Sequence, residues 1–185
     1  MQMRPIAKAI VYMKIGSRSG ETLDAIIARK LKEEKTAGFT FWGYGGTICH
    51  PLTVIRPFAF RCASVGLAVR VLMSSTKSEF LGRPAFATEY TTDRVNWQHL
   101  PRGIRTGSPY ALVMRNLTPC KAQLDLSHYL VGYGPQENRR LTEYLRFRVD
   151  KAVALWARPP AKLTPQLVPV SYCAELVDPY AVVLR

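Results

Sequence analysis

Residues 38–51 read Gly-Phe-Thr-Phe-Trp-Gly-Tyr-Gly-Gly-Thr-Ile-Cys-His-Pro and crowd four glycines, four aromatic rings, a cysteine and a histidine into fourteen positions. Cys49 beside His50 suggests a thiolate nucleophile and its base, and both are catalytic candidates. Neighbours on an extended chain point to opposite sides, however, and the proline at position 51 biases His50 toward extended backbone. A nucleophilic Cys49 therefore needs His99 or His128 delivered by the fold, and the alternative is a buried, inert thiol. No carboxylate pair is set out for general acid–base work: Glu33 and Glu34 fall on the polar side of an expected helix, Asp150 lies among arginines, and Glu175 stands alone on a terminal strand. The four cysteines and three histidines show no ligand spacing, so neither a metal nor a cofactor is expected, and the balance leans away from an enzyme.

The same stretch can bind without reacting. Gly43, Gly45 and Gly46 offer backbone N–H groups that can cradle a phosphate, and they let a ligand approach the main chain closely. The pattern matches neither the P-loop nor the dinucleotide fingerprint, which leaves a plain turn as the alternative. On a strand, Phe39 and Phe41 alternate with Thr40 and Trp42, so the phenylalanines are assigned to the core. Trp42 and Tyr44, with Tyr133 in a similar Gly-Tyr-Gly setting, are the candidates for base stacking, a contact worth about 1–3 kcal/mol per base.

Charge points the same way. Lys and Arg number 26 against 13 Asp and Glu, and a formal charge of +13 favours a polyanionic partner. Arg139, Arg140, Arg146, Arg148, Lys151, Arg158 and Lys162 are opposed locally only by Glu143 and Asp150. They form either a solvated helix surface or a phosphate-contacting one. Residues 132–140, Gly-Tyr-Gly-Pro-Gln-Glu-Asn-Arg-Arg, combine glycines, an aromatic and two arginines. Over these nine positions the chain resembles the glycine-rich loops of RNA-binding proteins in CRISPR complexes, which implies an RNA partner; no family is assigned.

These residues must be held by a frame. A chain of 185 residues, 48% hydrophobic, suffices for one compact domain spanning residues 1–185. Its apolar runs fall short of the roughly 20 residues of a membrane span, and its scattered cysteines fit a reducing cytoplasm. Residues 6–15 read as a strand. Leu23, Ile26, Ile27 and Leu31 then take helical spacing, with Asp24, Lys30, Glu33 and Glu34 on the polar side, Ser19 as the expected N-cap and Gly38 as the stop. Residues 52–65 read as a short or kinked helix around Pro57, and residues 67–73 as a buried strand. Short strands follow at 85–91, 95–100 and 110–115. A second long helix is expected over 138–157, with a strand at 144–149 as its competitor, and a terminal hairpin pairs 168–176 with 180–184 through a turn at 177–179. The segment Pro-Tyr-Ala-Leu-Val-Met-Arg at 109–115 is nearly repeated at 179–185, as two buried strands that each begin at a proline would be.

The expected fold is α+β: a mostly antiparallel sheet, or a small curled β-barrel, with two main helices packed on it. The expected function is a nucleic-acid-binding domain, for RNA or DNA, in which basic residues hold phosphates and the aromatic–glycine loops engage bases. A small enzyme or sensor for a nucleotide-like anion, with Cys49 and His50 in its pocket, is the first alternative. A structural subunit that buries Trp42 and Tyr44 against a protein partner is the second.

Overall fold

The computed structural model describes residues 6–80, 86–146, 149–157 and 164–185. They form a mixed α/β fold built on one open sheet of nine strands. The strands are β1 (Ala9–Arg18), β2 (Thr40–Tyr44), β3 (Val69–Phe80), β4 (Glu89–Thr91), β5 (Gln98–His99), β6 (Tyr110–Asp125), β7 (Tyr129–Val131), β8 (Lys151–Trp156) and β9 (Leu167–Leu184). Their order is β2-β6-β9-β3-β1-β8-β7, with β4 added beside the end of β9 and β5 beside β4. Only β1 and β3 run parallel; the other pairs are antiparallel. The edge strands β2 and β7 do not meet, so the sheet stays open and the expected barrel is corrected.

Strand β1 is central because its sequence is apolar on both faces. Ala9, Val11, Met13 and Ile15 point into the layer that holds Ile27 of α1 (Leu23–Ala37) and Ile55, Phe58, Ala59 and Cys62 at and within α2 (Arg56–Ser64). Ile10 and Tyr12 point to the opposite face, where Leu126, Leu141 and Leu145 cover them. The two main helices thus share one face of the sheet. Helix α1 begins at Thr22, whose hydroxyl accepts from the Ala25 amide, and ends at Gly38 in the left-handed conformation. The expected cap Ser19 lies before it, at a positive φ of 52°. Pro57 is accommodated at the first positions of α2, directly after a π-helical turn over Pro51–Ile55.

Two other expectations are corrected. The expected long helix over 138–157 is a single turn, α3 (Leu141–Tyr144), followed by strand β8. Strand β8 lies between β1 and β7 with Ala152, Val153 and Ala154 all buried. A strand covered on both faces loses its alternation, and the remaining apolar positions imitate a helical stripe. Of the competing strand at 144–149, residue 144 closes α3, residues 145, 146 and 149 belong to no strand, and residues 147–148 lie outside the described part. The terminal hairpin is one long strand, β9, whose residues 177–180 form a bulge against Val113 of β6 between the pairs Met114↔Leu176 and Leu112↔Ala181. The echoed segments 109–115 and 179–185 are neighbours in that ladder, running antiparallel from Tyr110↔Val183. No described helix is long and apolar enough to cross a membrane.

Candidate functional site

Beyond Ile15, strand β1 leaves its register with β3, and Gly16 passes so close to the Ser78 carbonyl that a Cβ there would lie 2.2 Å from it. A cleft of about 500 Å³ opens over this end of β1. Its walls are α1, the last residues of β2, residues 105–108 and the start of β8. Six cationic residues line it: Lys14, Arg18, Arg29, Lys30, Arg105 and Lys151. Glu21 is the one carboxylate among the described lining residues.

One wall of the cleft is neutralised. Glu33 is 1% exposed and accepts from Lys30 Nζ at 2.9 Å, Arg29 Nη1 at 3.2 Å, Thr40 Oγ1 at 2.6 Å and the Arg105 amide at 3.0 Å. Arg29 also grips Glu21 in a bidentate pair at 2.9 and 2.7 Å, which draws the Glu21 carboxyl below its ordinary range. Burial pushes the Lys30 ammonium down to about 8, against the pull of Glu33. Helix periodicity assigned Lys30 and Glu33 to solvent; their mutual pairing is what allows both inside.

Two other lining cations are held by neutral oxygens. Arg18 Nη1 donates to Ser108 Oγ at 2.6 Å, and Lys151 Nζ donates to the Gly45 carbonyl at 2.9 Å. Among the described residues, Lys14, Arg18, Arg105 and Lys151 form no ion pair. Burial lowers the Lys151 pKa, and Asp150 next to it acts in the other direction. Aromatic surface is supplied by half-buried Trp42 and by Phe86, which is 56% exposed and carries the Arg105 guanidinium 4.3 Å from its ring centroid. Gly43 lies against Ser108 Oγ and Thr106 Oγ1, which would stand 2.8 and 2.9 Å from a Cβ at that position.

Of the residues singled out in the sequence, Trp42, Gly43, Tyr44, Gly45 and Lys151 come together here. Tyr44 differs from the expected exposed stacking face: its ring is 2% exposed, its hydroxyl donates to the Cys49 carbonyl at 2.9 Å, and Lys151 lies over it. Glycines on either side do not expose a ring when β2 is packed on β6. Gly46 is exposed and does not line the cleft. Cys49 is buried, and burial pushes its thiol up to about 11. His50 turns away as a cap, accepting the Leu52 and Thr53 amides on Nδ1, with its ring against Tyr110. Neither Cys49 nor His50 lines the cleft.

The basic segment does not converge. Tyr133 stacks beneath Arg61, Arg139 pairs with Gln136 and Glu143, Arg140 caps α3, and Arg146 is exposed. Arg148, Arg158 and Lys162 lie outside the described residues. The residues that sequence reasoning missed are Lys14, Arg18, Arg105, Thr106, Ser108 and Phe86. The Gly-Ser-Arg-Ser-Gly run at 16–20 was a usable signal, because it puts a cation between glycines at a strand end. No group of three or more possible metal ligands occurs among the described residues. Comparison with known proteins gives no matching family model, curated protein or solved structure.

Proposed function

We propose that the protein binds nucleic acid and that the cleft takes one phosphorylated nucleoside unit of a single strand. The observation that carries this reading is the surplus of cations without an ion pair among the described residues, Arg18 and Lys151 included, in a space of nucleotide size that Trp42 also lines. Cations supply the sequence-independent attraction to phosphate, and an indole supplies a face on which any base can stack. The remaining positive charge of the chain extends that attraction beyond the cleft.

Binding of a short fluorescent single-stranded RNA or DNA, followed from low to physiological salt, tests it. Affinity should fall steeply with salt, and Arg18→Gln or Lys151→Gln should each reduce the logarithmic slope by about 1. Unchanged binding in both variants, or none at low salt, refutes the reading. The cleft's size also favours a second reading, a sensor of a free nucleotide-like anion. A nucleoside monophosphate that displaces the oligonucleotide at equal concentration would decide for that reading.

A further inference from the structure

The charge left over in the cleft says more about the ligand than that it is anionic. Glu21 and Glu33 compensate Arg29 and Lys30, and Asp150 lies next to Lys151, so, among the described residues, Arg18 and Arg105 are left as lining cations without a carboxylate. An internal phosphodiester brings a single negative charge and two terminal oxygens. A phosphomonoester brings close to two charges at neutral pH and three acceptor oxygens. The donor set matches the second. Thr106 and Ser108 are each 5% exposed, and both hydroxyl oxygens lie beside Gly43. The Ser108 oxygen is occupied as an acceptor by Arg18, which leaves its O–H to donate; Thr106 Oγ1 makes no hydrogen bond among the described residues. Lys151 spends one N–H on the Gly45 carbonyl and keeps two, and it lies near enough to Arg18 for the two charges to act on each other. Such nearly buried hydroxyls beside a guanidinium and an ammonium group form a pocket for a compact oxyanion; a flat basic surface would leave them in solvent.

We infer that the cleft selects a terminal phosphomonoester, a phosphorylated strand end, over an internal phosphodiester. This rests on the nucleic-acid reading above. Gly43 is part of the device, since a methyl group at that position would occupy the space in front of both hydroxyls.

The test uses one short single-stranded oligonucleotide in three forms: 5′-phosphorylated, 3′-phosphorylated, and with hydroxyls at both ends. The wild-type protein should bind one of the phosphorylated forms about tenfold or more tighter than the hydroxyl form, the scale expected of added charge-assisted hydrogen bonds. The form preferred identifies the end. Arg18→Gln and Gly43→Ala should bring that ratio toward unity, with thermal melts confirming that each variant is folded. Arg18 is half-buried near the surface, so its variant keeps the test alive if Gly43→Ala fails to fold. Equal affinity for all three forms, with Arg18→Gln still weakening each of them, overturns the inference and leaves the nucleic-acid reading standing. No effect of any cleft variant on any form overturns both.

Discussion

The ammonium nitrogen of Lys151 stands 4.2 Å from the centroid of the Tyr44 ring. A buried phenol therefore serves as a rest for a cation whose other contact is the Gly45 carbonyl. The aromatic–glycine stretch is thus a holder for charge on this side, and Trp42 is the ring left to meet a base. It follows that Tyr44 and Phe41, 2% exposed alike, should behave alike in folding. Replacement of either by Ala should cost about 3–5 kcal/mol in urea unfolding, because a cavity is added to the lost burial. Tyr44→Phe removes only the hydroxyl, with its bond to the Cys49 carbonyl and a longer one to that of Ile48, and should cost about 1 kcal/mol. A Tyr44→Ala protein as stable as wild type would mean that the ring is not packed.

Cys49, whose carbonyl accepts from the Tyr44 hydroxyl, is buried, and burial pushes its thiol up to about 11. At neutral pH the thiolate is scarce and the sulfur inaccessible, so a thiol reagent should leave Cys49 unmodified in the native protein and modify it after unfolding. Mass spectrometry of the labelled peptide reads the outcome directly. Rapid native labelling at pH 7.5 would return Cys49 to consideration as a nucleophile.

What could be seen in the sequence was local. The β1 run, the α1 period with its Gly38 stop and the short helix around Pro57 are each set by residues a few positions apart, and the structure keeps them. The failures have a common cause. Strand β8 reads as a helix because neighbours remote in sequence, β1 and β7, bury both its faces. Lys30 reads as solvated because Arg105, 75 residues away, supplies the carbonyl that helps to bury it. The cleft is likewise assembled from five separate segments, so its cations carry no common spacing; only the part on β2, from Trp42 to Gly45, is contiguous enough to be read.

Glycines alike in sequence are expected to respond differently to substitution. Gly132 and Gly45 belong to the two Gly-Tyr-Gly runs, and neither has positive φ. A Cβ on Gly132 would lie 2.4 Å from Cε2 of Phe58, a fully buried ring with no room to retreat. Gly132→Ala should therefore cost about 1–3 kcal/mol through overpacking. Around Gly45 there is no atom within 4 Å of the added carbon, and Gly45→Ala should stay within about 0.5 kcal/mol of wild type. Gly46, at a φ of 93°, lies between these cases, since its penalty is conformational, about 1 kcal/mol. Chemical denaturation of the three variants ranks them. Equal losses at Gly45 and Gly132 would contradict the packing described.

The Lys30–Glu33 pair gives a prediction in pH. Burial holds the native Lys30 ammonium near 8, against an ordinary value of 10.5. Below about pH 8 both native and unfolded chains keep that proton, and the group adds no slope to stability. Between there and 10.5 the unfolded chain binds the proton that the native protein has released, so this group makes stability rise with pH, by about 3 kcal/mol at most. Buried phenols and thiols act oppositely in the same range, since Tyr129 and Cys49 are raised and hold their protons longer when folded. The informative quantity is therefore the difference between wild type and Lys30→Met, in which Arg29 still pairs with Glu33. Unfolding free energies from pH 7 to 10.5 should climb more steeply, or fall less, in wild type than in the variant. Parallel curves would show that Lys30 keeps its proton throughout, with Glu33 outweighing its burial.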